Sequence, residues 1–168
     1  MKTGESLGSR LKRGVCCFGL SVVLPCPSVI EMAALAGYDF VRIDWEHALF
    51  GAIELRELLN TARLVGMPCQ VRVPELTMIT PLLGQEPAGI MVPHVESEKE
   101  ARAAVDACRF QPLGRRGMDG NTRRMRCEGM TRRTYMEYQQ ENLDIVVQIE
   151  SIPAMEKIDE ILSLDGIT

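Results

Sequence analysis

The chain has no C-x-x-C pair among its six cysteines and no Gly-rich phosphate-binding fingerprint after its first strand-like run. It has two histidines in 168 residues. Without cysteine pairing, structural zinc and a disulfide framework are both disfavoured, and three of the cysteines lie in apolar runs where a thiol acts as a small hydrophobe. The missing glycine fingerprint argues against a dinucleotide-binding fold. The N-terminal stretch MKTGESLGSRLKRG is polar and basic and has neither the apolar core of a signal peptide nor a membrane span, so a cytoplasmic protein with no membrane partner is expected. A net charge of −4 speaks against general nucleic-acid binding.

With 46% hydrophobic residues the chain can bury a core, and its length suits one domain, residues 1–168. Its pattern is a repeat of strand and helix. Apolar runs at 15–24, 39–45, 68–74, 88–95 and 143–150 read as strands. Each is followed by helical spacing: a helix opened by a Ser28–Glu31 capping box, then 51–66 ended by Gly66, a segment near 76–83, then 97–110 capped by Ser97 and Glu100, and 153–164. Alternating strands and helices with short loops predict an α/β parallel sheet covered by helices. The strands read as apolar on both faces. The repeat alone leaves open whether the sheet is doubly wound or part of a barrel.

In such repeats the chemistry collects at the carboxyl ends of the strands. Asp44, Glu46 and His47 end the second strand, Arg72 the third, Pro93-His94 the fourth, and Gln148 and Glu150 the fifth. A single carboxylate there is often a helix cap or an arginine's partner. Together, however, these residues supply metal ligands, a proton acceptor and a carboxylate binder on one rim. A second charged feature is the stretch 114–133, with seven arginines. It suits a substrate's distal carboxylate, a phosphate or coenzyme A, or a partner chain. Nucleic acid is disfavoured because no aromatics interleave the arginines.

These residues resemble the HpcH/HpaI aldolases of the pyruvate/phosphoenolpyruvate-dependent barrel superfamily, across nearly the whole chain. The resemblance rests on Glu31, Gly37-Tyr38-Asp39, Asp44-x-Glu46-His47, Val71-Arg72-Val73-Pro74, Gly89 to Pro93, Pro112 to Gly117, Gln148-Ile149-Glu150 and Ile158 to Ile161. It implies a partial (β/α)8 TIM barrel of about five complete βα units. The implied activity is a metal-dependent class II lyase that cleaves 4-hydroxy-2-oxo acids to pyruvate and an aldehyde. By the same resemblance, Glu150 is a ligand for Mg2+ or Mn2+, or Co2+. Gln148 lines the substrate pocket, Arg72 holds the keto oxygen, and His47 is the base, oriented by Asp44 or Glu46. A small 2-oxo acid and a homo-oligomer are the implied partners.

Two departures from the family pattern carry the rival readings. Gly84 stands where the family has an aspartate paired with the catalytic histidine. A full barrel takes about 250 residues, so this chain is expected to lack the C-terminal strands and helices, the second metal-ligand aspartate among them, and to have an edge that must be covered. The alternatives are therefore a catalytically silent barrel fragment acting through association, and a citrate-lyase-like carbon–carbon lyase acting on coenzyme A thioesters.

Overall fold

The computed structural model describes residues 6–168 apart from 119 and 121. Five parallel strands form one sheet in the order β1 (Gly19–Val22), β2 (Phe40–Asp44), β3 (Cys69–Arg72), β4 (Gly89–Val92) and β5 (Asp144–Val147). Each strand lies beside its predecessor, with no reversal of winding. A doubly wound sheet has such a reversal, whereas sequential parallel order is that of a barrel wall, so the sheet is part of a (β/α)8 barrel.

The connections carry α2 (Pro27–Leu35), α3 (Ala52–Val65), a 3-10 turn at Leu76–Met78 running into α4 (Ile79–Leu83), and α5 (Glu98–Cys108). Between α5 and β5 come α6 (Arg123–Cys127) and α7 (Arg132–Asn142), and after β5 come α8 (Ile152–Glu156) and α9 (Ile158–Leu162). α1 (Leu7–Lys12) precedes the sheet. Among the described residues, no helix is long and apolar enough to cross a membrane.

Most helix limits follow from local chemistry. α3 stops at Gly66, which takes φ 72°, a left-handed conformation that glycine adopts without steric cost. Ser97 Oγ accepts from the Glu100 amide at 3.3 Å, while Glu100 reaches back to the Glu96 amide at 2.8 Å. The Ser28–Glu31 box does not form. α2 begins two residues earlier, at Pro27, with Cys26 preceding it and no side-chain cap; the fixed φ of proline already suits the first helical position. The single helix expected over 153–164 is two short ones, broken at Lys157.

Right-handed crossovers in a sheet of sequential order place the helices on one face. Val41, Ile43, Val71, Ile90 and Ile145 point to that face and are completely buried in the core. The alternate positions bear Arg42, Asp44, Gln70, Arg72 and Asp144 beside Phe40, Met91 and Val146, so the opposite, inner face carries polar and charged groups among apolar ones. Register aligns these polar residues in layers: Arg42 beside Gln70, and Asp44 beside Arg72. At the lower layer, Gln70 pairs with Gly89, which pairs with Asp144. α1 packs there as well: a Cβ on Gly8 would come within 2.2 Å of Asp144 Oδ1, so this approach requires glycine. Burial pushes the Asp144 carboxyl up to about 6, against hydrogen bonds from the Gly8 amide and the Gln70 side chain. All six cysteines are free, and burial pushes the thiols of Cys69 and Cys108 up to about 12.

Candidate active site

The carboxyl ends of β2 to β5 bring the sequence-selected residues onto one rim. Asp44 is the last residue of β2 and lies in register with Arg72, the last of β3. Arg72 donates from Nε to Asp44 Oδ1 at 3.0 Å and from Nη2 to Oδ2, a bidentate pair. Both partners are largely buried, with side chains 17% and 8% exposed. Burial pushes the Asp44 carboxyl up, but hydrogen bonds from Arg72 and the His47 amide, helped by the charge of Arg72, outweigh it and hold the group below the usual aspartate value. The Asp44 hydrogen bond in turn raises the Arg72 guanidinium.

A short turn after β2 positions the histidine. Asp44 Oδ1 accepts from the His47 amide at 3.2 Å, and Trp45 Nε1 donates to the Phe50 carbonyl at 3.1 Å. The His47 ring reaches Arg72 Nη2 at 2.6 Å through Nδ1. Arginine has no acceptor, so Nδ1 accepts this bond and the ring proton resides on Nε2. The same Nδ1 lies 3.4 Å from Asp44 Oδ2 and 3.6 Å from Glu46 Oε2. His47 is 62% exposed, which leaves it open to a substrate, while the acids beneath it are not.

Arg72 also donates from Nη1 to Gln148 Oε1 at 3.5 Å, at the end of β5. Gln148 Nε2 donates to Glu150 Oε1 at 3.3 Å. The circuit closes through a residue to which the sequence reading gave no role. His94 contacts Glu46 Oε1 through Nε2 at 2.9 Å and Glu150 Oε2 through Nδ1 at 3.4 Å, and its backbone N–H donates to Glu150 Oε2 at 3.2 Å. Its φ of 55° is left-handed, a conformation that costs a non-glycine residue roughly 1–2 kcal/mol. That turn, just after Pro93, aims the amide at Glu150. The sequence signal was a lone histidine interrupting the apolar run at the end of the fourth strand.

The donor set suits a hard divalent cation. Asp44, Glu46 and His47 each offer a ligand atom, and these atoms lie within 4.8 Å of one another. Glu46 Oε2 is buried without a hydrogen bond, although Arg72 Nε lies 3.2 Å away. Glu150, the ligand implied by resemblance, is outside that trio and joined to it by His94. Gly84 does not reach the rim. It caps α4 and lines a separate cavity, and His47 has its ring contacts with Asp44, Glu46 and Arg72 instead.

A (β/α)8-type wall with acids, a histidine and an arginine at its strand ends defines an aldolase-like class of protein, and comparison with known proteins agrees. Residues 18–168 match the family HpcH/HpaI aldolase/citrate lyase, and the chain belongs to that family. It is 31% identical over 159 residues to a hydroxypyruvate/pyruvate aldolase of Sagittula stellata, covering 94% of this chain and 62% of that protein. It is also 31% identical over 160 residues to a 2-keto-3-deoxy-L-rhamnonate aldolase of Escherichia coli, covering 94% of this chain and 60% of the relative. The crystal structure of an HpcH/HpaI aldolase from Desulfitobacterium hafniense superposes with a TM-score of 0.86 at 28% identity, over 98% of this chain and 64% of that one. The chain thus spans roughly three-fifths of the length of these relatives.

Proposed function

We propose that the rim performs a metal-assisted retro-aldol cleavage of 4-hydroxy-2-oxo acids to pyruvate and an aldehyde, within a single domain formed by residues 1–168. The observation that carries this reading is the position of Arg72, bonded at once to Asp44, His47 and Gln148. A guanidinium fixed in this way presents a permanent charge where a 2-oxo acid's keto oxygen becomes an enolate oxygen. The names of the relatives, a hydroxypyruvate/pyruvate aldolase and a 2-keto-3-deoxy-L-rhamnonate aldolase, support a 2-oxo acid as substrate.

In this reading Arg72 holds the keto oxygen, and Gln148 lines the pocket beside it. On substrate entry His47 Nδ1 exchanges its bond to Arg72 Nη2 for one to the 4-hydroxyl, while Asp44 and Gln148 keep the guanidinium in place. The imidazole then takes the proton of the 4-hydroxyl, which initiates C–C cleavage. Asp44 keeps Arg72 and the His47 backbone in place, and Glu46 faces the imidazole from below. Glu150 would hold the divalent ion, Mg2+, Mn2+ or Co2+, with the buried oxygen of Glu46 alongside. The ion, when bound, supplies Lewis-acid stabilisation of the developing enolate charge. We place the protein in the cytoplasm as a homo-oligomer; exposed Ile152, Met155 and Leu162 beyond β5 offer apolar surface for association.

The test is pyruvate release from a short 4-hydroxy-2-oxo acid, with Mn2+ and with a chelator. Release should require the metal and disappear in Glu150→Ala and in Arg72→Ala. Release that persists in both variants would overturn the assignment.

A further inference from the structure

A cavity of about 720 Å3 lies between α3, α4 and the segment that includes α6, and shares no lining residue with the rim. Its volume is in the range of small-molecule sites, about 300–1,000 Å3. Four arginines line it: Arg63 from α3, Arg116, and Arg123 and Arg126 from α6. Their charges are answered unevenly.

Arg63 donates to Asn60 Oδ1 at 2.9 Å and to the Gln85 carbonyl at 2.8 Å, both neutral. Arg116 donates to Gln139 Oε1 at 3.0 Å and to the Tyr135 hydroxyl at 3.3 Å, and lies over the Phe110 ring, again without a carboxylate. Arg126 is exposed and has no hydrogen bond or ion pair among the described residues. Arg123 has a carboxylate, Glu128, at 3.0 Å.

Glu86 is the one carboxylate among the described wall residues, and it is committed elsewhere. Its Oε1 accepts from the Arg124 amide at 3.3 Å, and its Oε2 lies 3.6 Å from Arg124 Nε. Among the described residues, Arg63 and Arg116 therefore have only neutral hydrogen-bond partners and Arg126 has none, although the Glu86 charge acts on Arg63 and Arg116 without direct contact. Burial, and after it the like charge of Arg123, holds the Arg63 guanidinium below its ordinary value. Half-buried positive charge of this kind is stabilised when an anion completes it.

We propose that this cavity binds a small organic polyanion, a phosphate ester or a di- or tricarboxylate, through Arg63, Arg116 and Arg126, at a site separate from the rim. The guanidinium fork matches the paired oxygens of either group. The hydroxyls of Thr80 and Thr122 in the same wall add neutral donors. A half-open cavity of this volume suits a compact ligand, and the site is independent of whether the rim turns over.

The experiment is calorimetric titration of the metal-free 168-residue chain with pyrophosphate and, separately, with citrate at low salt. Saturable binding of at least one is expected. It should weaken about 10-fold in Arg126→Ala, whose side chain supports no other group, and by a further factor of about 10 in Arg63→Gln/Arg126→Ala, as expected for losing charged hydrogen bonds. Melting temperatures confirm that the variants are folded. Binding of pyrophosphate alone assigns the site to phosphate esters, and binding of citrate alone to polycarboxylates. Absence of binding to either, affinity unchanged in the double variant, or binding that disappears in Glu150→Ala would overturn the proposal.

Discussion

The strand-end rim and the Arg63–Arg126 cavity are both crowded with charge, yet they settle it differently. At the rim every contact of Arg72 is to another rim residue, and the acids are tied in turn to Arg72 or to His94. In the cavity Arg63 and Arg116 meet amides, a carbonyl and a phenol, and only Arg123 has a carboxylate. The first arrangement is preorganised and complete except for what enters from solvent. The second holds positive charge at Arg63, Arg116 and Arg126 that no direct ion pair among the described residues answers. A closed network should fail abruptly when one member is removed, whereas an open one should lose affinity and little else.

The largest effect is expected at the centre of the closed network. Arg72→Ala should reduce pyruvate release by about 1,000-fold or more, the scale of losing a donor to a developing oxyanion. It should also lower stability by about 3 kcal/mol, because Asp44 remains buried without its partner. Urea denaturation and turnover measured on the same sample check both. Wild-type stability in that variant would show that the rim is not a closed network.

A third region extends the comparison: Asp144, on the inner face, is a buried acid with neutral hydrogen-bond partners, an inverse of the arginine cavity. Its folded value of about 6 lies above the ordinary aspartate value of about 3.8. Between these values the folded state binds more protons than the unfolded state. This group's contribution is therefore most favourable below about pH 4 and falls as pH rises through 6, by about 3 kcal/mol in all. Asp144→Asn should flatten that slope and be more stable than wild type at pH 8, as read by melting temperature across pH 4–8.

A smaller effect is expected from His94→Asn, which keeps a residue tolerant of left-handed φ but removes the imidazole bridge between Glu46 and Glu150. Metal affinity should fall about 10-fold, in line with the loss of a group that orients ligands, with the fold unchanged by circular dichroism. Smallest of all, Arg126→Ala should change stability by no more than about 0.5 kcal/mol, as for an exposed side chain without a partner among the described residues.

Much of this could be read from the sequence, and the reasons for the rest are specific. The strands β2 to β5 announce themselves as apolar runs, and the rim residues as polar groups that end them. The polar groups of the inner face were missed because Arg42, Gln70 and Asp144 each sit singly among apolar neighbours, and only the register of four strands shows that they share a side. His94 was visible as an interruption, but its bridging role depends on a left-handed turn that no propensity requires. The arginine-rich stretch stood out as a charge run, whereas the cavity also needs Arg63, 53 residues before Arg116, which joins it only through tertiary packing. Gly84 was read against the family's aspartate, and its place on the cavity wall follows from where α4 ends.

The most direct test of the rim as a metal-assisted site is calorimetric titration of Mn2+ into the purified 168-residue chain and into Glu150→Ala. Saturable binding to the wild-type chain that is lost in the variant is the predicted result. No binding to folded wild-type protein, or equal binding to both, would contradict it and favour a chain that keeps the aldolase fold for association alone.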